Sequence, residues 1–198
     1  MIRATDNIVI EPGDFAAVRS SGMISGLIQA GEQSVLWLES QNHRAAEAKI
    51  GKWTHAIFYA GGPDDLILEA EPGGARMRPF HYDMAGCMWS SGRPALALTA
   101  QQRQAAPIVA AVYANANDGK GVPYSFADYE AIGAHALGIS ESWLKDFIAS
   151  SGHMICSQLV DQCRLDLGSH LFSDGRWPGF VDPLDIALVI SQSALSAS

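Results

Sequence analysis

The chain has 198 residues, enough for one domain with a sizeable core. Hydrophobic residues make up 48% and charged residues 17%, which excludes wholesale disorder. A formal net charge of −8 without any basic run excludes affinity built on phosphate contacts, so no nucleic-acid partner is expected.

Cys87, Cys156 and Cys163 are too few, and odd in number, for a disulfide framework, and reduced thiols are expected. The N-terminal stretch lacks a basic region followed by an apolar core, and no apolar run reaches the length of a membrane span. A soluble, cytoplasmic single domain over residues 1–198 is the expectation, with residues 1–11 and 191–198 as a loose leader and tail.

In chain order, Glu11-Pro12-Gly13-Asp14 reads as a turn, with Asp14 a turn residue, and Phe15 to Arg19 as a short strand. Gly22 to Gly31 suggests a short helix, and Gln33 to Lys49 a helix or ordered excursion of unassigned role. Trp53 to Ala60 is aromatic and branched with apolar residues on both parities, the pattern of a central strand. A turn at Gly61-Gly62-Pro63-Asp64 returns the chain as a strand over Asp65 to Glu71, and Ala75 to Phe80 is a third, giving an antiparallel meander. If Tyr59 opposes Asp65 in the first hairpin, His55 directly faces Glu69. A one-residue slip would break that pairing, but a carboxylate within LILEA needs a partner wherever it is buried.

Residues 81–98 read as a loop and a further strand. A helix follows with Thr99 as its cap and a kink expected at Pro107, and Gly119 to Pro123 breaks the chain. Two short helices are expected over Ser125 to Leu137 and Ser140 to Ala149. Apolar or sulfur side chains then recur at 156, 159, 160, 163 and 167, the inward face of a helix with Cys156 one turn into it. After a loop at 175–179, Asp182-Pro183 opens a last short helix.

Nucleotide-binding, serine-hydrolase and zinc motifs are all missing, and no two of the six histidines have metal-ligand spacing, so neither a metal nor a cofactor is expected. The chemistry left to the chain is one cysteine at a helix N-terminus, one histidine on a buried strand and one acid on the neighbouring strand. Unpaired N–H groups in the first helical turn favour thiolate over thiol at Cys156. An imidazole, His55, holds the ion pair and protonates the leaving group, and a third polar group fixes its tautomer. Taken singly, Cys156 also fits as core filler, His55 as a hydrogen-bonded core histidine and Glu69 as an edge residue. Cys163, two turns deeper on the same face, is expected to be core.

Four motifs, Pro12-Gly13-Asp14, Thr54-His55-Ala56-Ile57-Phe58-Tyr59, Leu68-Glu69-Ala70 and Cys156-Ser157-Gln158-Leu159-Val160, stand in an order that resembles the circularly permuted papain-like hydrolases of the NlpC superfamily. These include the YiiX/YaeF-like bacterial proteins and, more distantly, the lecithin:retinol acyltransferase group. The resemblance runs from about residue 12 to about 188. It implies an α+β, permuted papain-like fold, with an antiparallel sheet packed against a helical lobe that carries the nucleophile helix. It further implies Cys156 as nucleophile, His55 as base and Glu69 as orienting acid, a Cys-His-Glu triad, with Glu71 a same-parity rival. Tyr124, Ser157 and Trp53 stand as oxyanion or substrate-binding candidates, although large aromatics such as Trp53, Trp37 and Trp89 also serve as packing.

The expected activity is that of a cysteine hydrolase, an amidase or peptidase acting through an acyl-enzyme on a small peptide or amide. The resemblance points to cell-wall peptides, which would require delivery by a route other than a classical signal peptide. Two alternatives stand beside it. A thiol acyltransferase or lipid acyl hydrolase would present an apolar patch near Cys156, but that branch usually has a second histidine where Glu69 stands. A non-catalytic module keeping the fold would bury Cys156.

Overall fold

The computed structural model describes residues 3–5, 8–19, 53–124, 152–175 and 177–195. The helices and excursion expected within 22–49 and 125–149, and Trp37, lie outside the described residues. The architecture is α+β: a five-stranded antiparallel sheet with three α-helices among the described residues. The strands are β1 (Arg3–Thr5), β2 (Ile8–Val9), β3 (Phe15–Val18), β4 (His55–Gly61), β5 (Leu66–Glu71), β6 (Gly74–Pro79) and β7 (Cys87–Trp89). The helices are α1 (Ala100–Gly119), α2 (Cys156–Asp166) and α3 (Pro183–Leu195).

β4, β5 and β6 form the expected meander, and β3 and β7 extend it on the other side of β4, in the order β6-β5-β4-β3-β7. Every residue of β4 is buried, as its unbroken apolar run requires of the middle strand. The even-numbered residues Ala56, Phe58 and Ala60 face the larger core with Leu68, Leu159, Cys163 and Ile186. The odd-numbered Ile57 and Tyr59 face a second cluster with Ile67 and Trp89. Burial of each large side chain, such as Phe58 or Leu159, contributes roughly 1.5–3 kcal/mol.

The hairpin register differs from the expected one. Phe58 pairs with Leu68 and Tyr59 with Ile67, and a bulge between Tyr59 and Gly61 lies toward the turn, where Gly61 pairs with Leu66. Continued along the strands, this register sets Glu69 opposite Ile57, so His55 and Glu69 are diagonal neighbours. The slip is two residues, which preserves side-chain parity, and the two remain on one face.

Several local expectations are corrected. The leader is not loose throughout: β1 pairs with β2, and Ile10 is buried in the second cluster. α1 opens on a Thr99 capping box with Gln102, but its helical backbone runs through Pro107 and breaks at Ala116, Asn117 and Asp118, the last two left-handed. Asn and Asp tolerate that conformation better than other non-glycine residues. α3 continues to Leu195, because Ile190 is buried and the Ser193 hydroxyl returns to the Val189 carbonyl.

Asp14 is no surface turn residue. It is 2% exposed, its Oδ2 accepts from the Glu11 amide and the Ser91 hydroxyl, and its Oδ1 accepts from Arg103 at 3.0 Å. This network ties the entry turn to α1 and to the loop after β7. Gly121 has a φ of +78°, and a Cβ there would run into the Ala75 carbonyl. The close approach lets the Val122 carbonyl accept from the Ala75 amide at 2.8 Å and brings Tyr124 against the larger core.

Candidate active site

α2 begins at Cys156 itself, so the cysteine is the first helical residue rather than one turn inside. Ile155 precedes it with extended backbone, and the Gln158 side chain accepts from the Ile155 amide at 2.8 Å while donating to the Gly179 carbonyl at 2.7 Å. Gln158 thereby fixes the start of the helix and anchors it to the 178–180 turn. Cys156 stands in the first turn of α2, where the helix dipole favours negative charge.

His55 opens β4 on the face of Ile57 and Tyr59, while Cys156 belongs to the core on the opposite face. The imidazole of His55 and the thiol of Cys156 nevertheless form a side-chain hydrogen bond. His55 Nε2 lies 3.2 Å from Glu69 Oε2. With Nε2 directed to the carboxylate, Nδ1 is the ring nitrogen left for the thiol. Burial alone would push the imidazolium down, but the charge and hydrogen bond of Cys156, followed by those of Glu69, outweigh it and raise the His55 pKa to about 10.

Glu69 is 1% exposed. Its Oε2 accepts from His55 and, at 2.6 Å, from the Tyr82 hydroxyl. Oε1 has no hydrogen-bond partner and lies 3.6 Å from Arg78 Nε and 3.9 Å from His81 Nε2. Burial works to raise the Glu69 pKa, yet the hydrogen bonds from His55 and Tyr82 and the charges of His55 and His81 leave it below the usual value. Glu71, the rival acid, pairs instead with Arg78 Nη2 at 2.8 Å. Glu69 is the acid that meets His55.

The other candidates divide. Ser157 is buried and its hydroxyl donates to the Val181 carbonyl at 2.7 Å, so it is committed to joining α2 to the segment before α3. Trp53 is core, with the Arg19 guanidinium 4.5 Å from its ring centroid, and Trp89 packs edge-on to Tyr59 in the second cluster. Tyr124 packs, half-buried, against the larger core that contains Cys156. Cys163 is buried and its thiol is pushed well up by burial and then by Asp166, while Cys87, half-buried, is raised to about 11 by burial and Asp83. Tyr82 is the site residue that sequence reasoning missed, since nothing in 81–98 marks it out. A cleft of about 150 Å³ beside α2, lined by Met154, Gln158, Trp177 and Pro178, does not include Cys156.

His55, Glu69 and Glu71 carry donor atoms within 4.8 Å of one another, the one such group among the described residues. Arg78 already bridges the two acids as their cation.

The arrangement can hold a proton between a thiol and an imidazole whose far side is fixed by a carboxylate. The thiol is fully buried in this conformation, with Cys156 at 0% and His55 at 7% exposure. No helix among the described residues is long and apolar enough to cross a membrane. Comparison with family models, with curated proteins and with solved structures finds no match to this chain.

Proposed function

We propose that this chain is a thiol-dependent hydrolase of permuted papain-like fold that cleaves an amide bond through an acyl-enzyme on Cys156. The observation that carries the reading is the run of contacts from Cys156 through His55 to Glu69, assembled from a helix start and two strands up to a hundred residues apart. In the reaction, the Cys156 thiolate attacks the substrate carbonyl carbon and a C–S bond forms. The oxyanion is met in part by the Cys156 amide at the start of α2. The His55 imidazolium gives its proton to the leaving nitrogen as the C–N bond breaks. Neutral His55 then takes a proton from water, the resulting hydroxide attacks the thioester, and the acid leaves with the ion pair restored. The resemblance adds a substrate class, cell-wall peptides, by analogy of fold.

The test is incubation of purified cell-wall peptide fragments with wild type and with Cys156→Ala, reading new free amines. Cleavage that disappears in Cys156→Ala is expected. Cleavage that persists in the variant, or none by wild type across the set, would count against the reading.

One observation favours a second reading, a non-catalytic module that keeps the fold: Cys156 is wholly buried. On the catalytic reading the thiol is reached only in a more open conformation. On the other, it reacts no faster than Cys163.

A further inference from the structure

We propose that Tyr82 is the positioning residue of this site: its hydroxyl holds Glu69 Oε2 against His55 and so sets the orientation of the imidazole. The inference rests on the reading of Cys156 and His55 as the reacting pair. Both donors converge on a single oxygen, Tyr82 Oη at 2.6 Å and His55 Nε2 at 3.2 Å, and the tyrosine contact is the shorter.

Glu69 has a competing attraction. Its other oxygen lies 3.6 Å from Arg78 Nε, and Arg78 is drawn by Glu71 toward the same edge of the sheet. A glutamate has three rotatable bonds, and His55 is only its diagonal neighbour. Without Tyr82 the carboxylate is free to turn toward the guanidinium and complete the hydrogen bond that it now lacks there. The tyrosine ring is itself fixed, 4.3 Å from the ring centroid of His81, 5.9 Å from that of His55 and 6.2 Å from that of Phe80.

The direction of the hydrogen bond carries the proton logic. Burial and then the Glu69 charge raise the Tyr82 pKa far above its ordinary value, so the hydroxyl remains a donor and Glu69 Oε2 an acceptor. Facing an acceptor-only oxygen, His55 Nε2 must carry its own proton, which directs Nδ1 to the thiol in either protonation state.

The sign of the effect separates positioning from simple donation. A hydroxyl that merely drew charge from Glu69 would, on removal, leave a stronger carboxylate and raise the His55 titration midpoint. A hydroxyl that holds Glu69 in place would, on removal, let it swing away and lower that midpoint. The test uses Tyr82→Phe, which retains the ring, together with Glu69→Gln and the double variant. The His55 imidazole titration is followed by NMR, and Cys156 alkylation by iodoacetamide is measured against pH.

Tyr82→Phe is expected to move the His55 midpoint down and to add nothing to Glu69→Gln in the double variant. A midpoint that rises or stays in place, or a shift that adds in full to that of Glu69→Gln, would overturn the proposal. If wild-type Cys156 is slow and indifferent to His55, the catalytic reading fails, and the NMR titration still decides the role of Tyr82.

Discussion

His55 and Glu69 stand on adjacent strands with Nε2 and Oε2 3.2 Å apart, both buried, and the carboxylate takes a second hydrogen bond from Tyr82 on the same oxygen. Those hydrogen bonds outweigh burial and hold the Glu69 pKa below its ordinary 4.5. A carboxyl depressed in the folded state stabilises above its unfolded value, and that contribution is lost as pH falls from 4.5 through the folded value. Wild type should therefore lose more stability than Glu69→Gln as pH falls below 4.5. Urea unfolding across that window checks this, and parallel curves would contradict it.

Arg164 is the second buried charge on which the fold depends. Its guanidinium donates to the carbonyls of Gly13, Leu96 and Ser169 and to the Ser169 hydroxyl, and burial pulls its pKa down to about 10. Arg164→Met leaves the Gly13 and Leu96 carbonyls without this donor and should cost about 3 kcal/mol or more. Chemical denaturation measures the loss. The pH profile of Cys156 alkylation in the folded variant should stay unchanged, since Arg164 lies two turns from the thiol.

Ser157 separates scaffold from chemistry. Its hydroxyl is held by the Val181 carbonyl at 2.7 Å. Ser157→Ala should cost about 1–3 kcal/mol, because it leaves a buried acceptor unmet. It should leave the alkylation rate of Cys156 at its wild-type value. A large drop in reactivity with little loss of stability would show that the hydroxyl serves the site.

The elements that position the site were legible where a local pattern dictates them. The aromatic and branched run before Gly61 makes β4, Thr99 with Gln102 caps α1, and the spacing from Cys156 to Leu167 makes α2. The His55–Glu69 contact was legible for a subtler reason. The hairpin register differs from the expected one by two residues, and a two-residue shift returns every side chain to its own face. Tyr82 was not legible because nothing in the irregular segment 81–98 marks it out, and Asp14 and Arg164 were not because what fixes them lies across the fold. Ser91 is 77 residues from Asp14, and Gly13 is 151 residues from Arg164. No local periodicity records such distances. The two-residue error in the hairpin and the break at 116–118 in place of Pro107 both arise from backbone geometry that side-chain patterns do not encode.

The central claim is that Cys156 and His55 form a thiolate–imidazolium pair. The most direct measurement is the iodoacetamide reaction rate of each cysteine against pH, read by peptide mass spectrometry, in wild type and His55→Ala. With His55 holding its proton up to about 10, Cys156 should react rapidly already at pH 6 and keep a flat rate into the alkaline range, while Cys87 and Cys163 stay slow. His55→Ala should abolish the fast reaction. A Cys156 that reacts no faster than Cys163, or that is indifferent to the loss of His55, would contradict the account and leave a fold that binds without catalysing.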